Sequence, residues 1–181
     1  RNPEIFYPFV FADPRRMKED ISYFKWSALN GTVTLENCFM KEFLEGHKFN
    51  GIKIYPALGY YPFDERLLPL WKYAADHQIP ITTHCIRGTI YYRGSKQVSW
   101  NRHEVFEQAN GNGEYVPLLL PQMNALENSY NFTHPLNYLC LLNEGLLRKL
   151  VATSSAAVQD LFGFTNIETP LKYNLEHLKI C

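Results

Sequence analysis

His84 closes a short β-branched run, IPITTH, over residues 79–84. Imidazole is the side chain whose ordinary pKa lets it ligate a metal or move a proton near neutral pH. A histidine at the end of an apolar strand is therefore a candidate for chemistry. A second run, GIKIY over residues 51–55, places Lys53 and Tyr55 in alternation with Ile52 and Ile54. That alternation describes a strand with two unlike faces. Tyr55 has two readings, a polar ring beside a pocket or a packing residue. Beyond His84 the chain carries Arg87 and Arg93 among Tyr91, Tyr92 and Trp100. A guanidinium clamps a carboxylate through two parallel hydrogen bonds, which would suit an acidic substrate group. An ordinary polar surface loop is the competing reading. His134, directly before Pro135, is either a helix cap or a substrate contact. His47, His77, His103 and His177 read as surface residues.

The elements that would position these groups follow from periodicity and turn chemistry. Residues 5–12 read as a buried strand, with Asp13 as N-cap and Pro14 opening a helix. That helix carries Met17, Ile21 and Phe24 on one face, and Arg15 and Arg16 are expected to be solvated or paired. After an Asn30-Gly31 turn, Thr34 can cap a second helix with Leu35, Cys38, Phe39 and Phe43 at helical spacing and Gly46 as its stop. Residues 49–56 form the next strand. Asp64 caps a helix whose apolar stripe is Leu67, Leu70, Trp71, Ala74 and Ala75. Because Pro69 is awkward inside a helix, the regular part is expected to start there, after a looser turn. Strand and helix in alternation argue for parallel βαβ units. Function in such folds collects at the carboxyl ends of the strands, where Lys53, Tyr55 and His84 lie.

The segment from Ile86 to Phe132 is rich in Tyr, Arg, Asn and Gly. A connection of that length reads as a lid-like insertion over the strand ends, with HEVFEQ as a short helical turn. Regular pattern returns in THPLNYLCLLNEGLLRKLV, where Leu136, Leu139, Cys140 and Leu146 or Leu147 form an apolar face. SSAAVQDLFGF reads as a further helix, and the terminal LKIC as the start of a strand.

Composition bounds the function classes. The 181 residues are 46% hydrophobic and 20% charged, with 18 Lys+Arg against 18 Asp+Glu. This is the profile of a soluble globular chain of one domain. Zero net charge without a basic block gives no electrostatic footprint for nucleic acid. No apolar run approaches the roughly 20 residues of a membrane span. Four scattered cysteines, without a Cys-x-x-Cys pair, fit reduced thiols in the cytoplasm. A homodimer is the commonest assembly for such a chain.

The run NGIKIYPALGYYPFDERLLPLWKYAADHQIPITTHC resembles the amidohydrolase superfamily, in particular its amidohydrolase-2 branch. PFVFADPRR resembles a preceding strand and turn of that branch, and THPLNY the start of a later helix. The resemblance implies a (β/α)₈ TIM barrel, of which residues 1–181 would supply about the third to the sixth strands of a longer polypeptide. It implies a divalent metal, Zn²⁺ above all, with His84 as one ligand and the others outside this chain. Lys53 would be a structural lysine or, as in binuclear members, a carbamylated bridge. The implied function is hydrolysis of a C–N or C–O bond in a small-molecule substrate by metal-activated water. The alternatives are a metal-dependent decarboxylase of the same family and a non-catalytic binding or structural module on a degenerate half-barrel. No residue is assigned as a proton donor or nucleophile.

Overall fold

The computed structural model describes residues 6–84, 89–101, 105–118, 120, 124–164, 175 and 177–180. Its centre is a parallel sheet of β1 (Phe9–Phe11), β4 (Gly51–Ile54) and β5 (Ile81–Thr83), in the order β1-β4-β5. Val10 pairs with Ile52, and Ile52 with Ile81. Ile180 adds a parallel bridge to Ile81 at the far side of β5. Val10, Ile52, Ile54 and Ile81 are all buried, as β-branched residues on a covered sheet face should be. Gly51 permits the tight packing of β1 on β4. A Cβ there would stand 2.2 Å from the Phe9 ring and 2.7 Å from the Pro80 carbonyl oxygen.

The capping signals at Asp13 and Asp64 hold. Asp13 accepts the Arg15 backbone N–H at 2.9 Å and caps α1 (Pro14–Glu19). Asp64 caps the 3₁₀ turn Glu65–Leu67, which leads into α3 (Leu68–Asp76) around Pro69. Residues 68–75 of α3 are buried throughout, and the Trp71 indole donates to the Pro62 carbonyl at 2.7 Å. The connection β4–α3–β5 is thus the parallel unit that the alternating pattern predicts.

The closed (β/α)₈ barrel is not what these elements build. The described strands fall into three separate sheets, one parallel and two antiparallel, and the parallel sheet of β1, β4 and β5 is open. One antiparallel pair is the hairpin β2 (Trp26–Leu29) and β3 (Thr32–Leu35), joined by Asn30 and Gly31 at φ 52° and 78°. Two consecutive positive φ angles are the signature of a type I′ turn. Thr34 therefore lies in a strand, and helical structure begins only at α2 (Phe39–Lys41), followed by a π-helical turn Glu42–Gly46. Nor does α1 reach Ile21 and Phe24. Asp20 ends it and accepts from the backbone N–H and hydroxyl of Ser22.

The second hairpin, β6 (Glu107–Ala109) with β7 (Tyr115–Pro117), lies in the long segment after β5. Glu107 and Gln108 are in an extended strand, which corrects the helical reading of HEVFEQ. Within that segment α4 (Ala125–Thr133) carries a full capping box between Asn124 and Glu127. The apolar pattern after it is broken in two. A 3₁₀ turn, Pro135–Tyr138, leads into α5 (Leu139–Leu142), and Asn143 then caps α6 (Glu144–Ala152). The break at Asn143 leaves Leu136 and Leu139 66% and 49% exposed, while Cys140 and Leu147 are buried. α7 (Ala156–Leu161) completes the layer with Val158 and Leu161 in the core. No helix among the described residues is long and apolar enough to cross a membrane.

Candidate functional site

β4 and β5 run in the same direction, so their carboxyl ends meet at one edge of the sheet. Strand alternation sends Lys53 and Tyr55 to the face opposite Ile52 and Ile54, and His84 follows β5 at the same edge. Lys53 Nζ lies 3.0 Å from His84 Nδ1. The Tyr55 and His84 rings meet edge to face, with centroids 4.7 Å apart and an interplanar angle of 87°. An ammonium has donors and no acceptor. Lys53 therefore donates to the Nδ1 lone pair, and the imidazole proton is carried on Nε2. His84 is exposed; Lys53 and Tyr55 are half-buried.

The supports of this edge come from neighbouring elements. Tyr60 accepts the Tyr55 backbone N–H through its phenol oxygen at 2.8 Å and donates to the Ala12 carbonyl at 3.4 Å. Burial pushes the Tyr60 phenol well above its ordinary pKa, which keeps it neutral and able to donate. From the helical layer, the Tyr138 hydroxyl donates to Thr83 Oγ1. At the end of β1 the buried Asp13 carboxylate takes Arg15 Nε at 3.0 Å and Nη2 at 2.6 Å. That hydrogen-bonded pairing raises the Arg15 pKa above its ordinary value.

The structure brings together three of the residues singled out from sequence, Lys53, Tyr55 and His84. Arg93 and His134 lie elsewhere. Arg87 lies outside the described residues. Arg93 is exposed, with its guanidinium 5.1 Å from the centre of the neighbouring Tyr91 ring. His134 is a cap, its Nδ1 accepting the Leu136 N–H at 3.2 Å, and it lines an apolar pocket with Phe63, Phe106 and Leu139. The contributions of Tyr60 and Tyr138 are not signalled in the sequence, because each depends on a contact across the fold.

Among the described residues there is no group of three or more His, Cys, Asp or Glu side chains able to hold a metal ion. The group facing His84 Nδ1 is a lysine ammonium, which repels a cation. No family model matches the chain. No curated protein and no solved structure matches it either. The open parallel sheet and the lack of a ligand cluster among the described residues overturn the amidohydrolase assignment, together with the metal-activated hydrolase and decarboxylase mechanisms that rested on it.

Proposed function

We propose that the carboxyl edge of the parallel sheet recognises a small molecule through a compact anionic group, such as a carboxylate or phosphate. The observation that carries this reading is the 3.0 Å contact between Lys53 Nζ and His84 Nδ1. It sets a positive charge beside an exposed Nε2–H donor, with the Tyr55 ring as an apolar wall. Charge-assisted hydrogen bonds are about twice as strong as neutral ones, and the crevice at strand carboxyl ends is the usual ligand position in open α/β sheets. Because His84 is open to water, the grip on a simple ion is weak and its specificity rests on the rest of the ligand. A reducing, cytoplasmic setting belongs to the same reading, supported by the buried thiol of Cys38.

The test is an NMR titration with inorganic phosphate and with acetate, following the His84 ring. Saturable shifts are expected for one of them, weakened roughly tenfold or more by Lys53→Met, the equivalent of about 1.4 kcal/mol. Shifts that stay linear with concentration, or that survive Lys53→Met undiminished, would remove the proposal.

A further inference from the structure

A second cleft, of about 670 Å³, shares none of its lining residues with the Lys53–Tyr55–His84 group. It is walled by α1, by the loop after β4 and by the segment around Trp100. We propose that this cleft binds a small zwitterion with an aromatic or apolar side group, of the α-amino acid type.

Charge sets the ligand class. Three cations and three anions line the cleft, Arg15, Lys18 and Arg66 against Glu19, Asp64 and Glu65. Most of them are engaged within the protein. Arg66 pairs with Asp64 at 3.0 Å, Arg15 with Asp13 at 2.6 Å, and Glu65 accepts the Ser155 backbone N–H at 3.0 Å. Lys18 and Glu19 are exposed neighbours on α1; Glu19 lies close enough to Arg15 to act on it electrostatically, and neither forms a salt bridge among the described residues. The cleft therefore offers one ammonium and one carboxylate, a poor site for a simple anion and a complementary one for a dipolar ion.

Two further features add shape and polarity. The Tyr92 and Trp100 rings meet edge to face with centroids 5.1 Å apart, forming an aromatic wall. Tyr92 packs directly against Gly59, where φ is +102° and a Cβ would come within 2.8 Å of the ring. Asn101 also lines the cleft, and its buried side-chain oxygen has no hydrogen-bond donor among the described residues. Such an acceptor is unfavourable until it is satisfied. Rotation about the soft terminal torsion of asparagine would turn it to a donor bound in the cleft, such as the ammonium of a zwitterion.

The experiment titrates the intact chain with phenylalanine, N-acetylphenylalanine and phenethylamine in turn. Binding is read from the Trp100 indole N–H in proton–nitrogen spectra, assigned with Trp100→Phe. A saturable shift is expected with phenylalanine, weakened about tenfold or more in the two analogues that each lack one charge. Lys18→Met, at an exposed position, and Asn101→Leu should each weaken it likewise, with Lys53→Met leaving it unchanged. Equal responses to all three compounds, no saturable shift, retention of full affinity in Lys18→Met, or loss in Lys53→Met would each overturn the assignment. The first three of these outcomes leave anion binding at the sheet edge untouched.

Discussion

Tyr60 holds Tyr55 in place through the backbone: its phenol oxygen accepts the Tyr55 N–H at 2.8 Å and its hydroxyl donates to the Ala12 carbonyl. One buried side chain thus joins the carboxyl ends of β1 and β4. Removing the oxygen in Tyr60→Phe leaves a backbone donor without its partner, which costs about 1–3 kcal/mol. Urea denaturation should show a lower midpoint with an unchanged slope. An unshifted midpoint would mean that water takes over the bond.

Three tyrosines set an alkaline limit on stability. Burial pushes Tyr23 up from 10.0 to about 12, and Tyr60 and Tyr73 shift in the same direction. A phenol with a raised folded pKa keeps its proton in the native state after the unfolded chain has lost it. Its contribution is therefore complete below about pH 10 and declines as the pH rises toward 12. Chemical denaturation between pH 9 and roughly 12 should show that decline. It should be shallower in Tyr23→Phe, where one titrating group is gone. A profile identical to that of the parent chain would show that Tyr23 does not contribute.

What was legible in the sequence was local. Asp13 and Asp64 declare themselves as caps by type and position, and Pro69 marks where α3 becomes regular. The alternation in GIKIY puts Lys53 and Tyr55 on one face. The parallel register pairs Lys53 with Thr82, so His84, two residues on, is a diagonal neighbour of Lys53. The errors came from extending periodicity past local chemistry. Asn30-Gly31 between WSAL and TVTL is a two-residue hairpin signal, and it outweighs the helical spacing from Leu35 to Phe43. α4 escapes a periodicity reading because ALENSYNFT has little apolar patterning, although Asn124 and Glu127 spell a capping box. Barrel closure is an expectation carried by the amidohydrolase resemblance of residues 50–85, and the open sheet removes it. Nothing in a strand's own residues fixes how many partners its sheet has, and here the other strands pair into hairpins of their own.

Asp13 performs two tasks that substitution can separate. Its carboxylate caps α1 through the Arg15 backbone N–H and pairs with the Arg15 guanidinium. Asparagine preserves a capping oxygen and removes the charge, whereas alanine removes both. The Arg15 side chain is 43% exposed, and partly solvated ion pairs contribute at most about 1 kcal/mol. The cap contributes about 0.5–2 kcal/mol. Asp13→Ala should therefore be clearly less stable than Asp13→Asn in thermal and urea denaturation, with Asp13→Asn the nearer to the parent chain. If the two variants were equally destabilised, the guanidinium pairing would outweigh the cap, and Arg15→Ala should then reproduce the full loss.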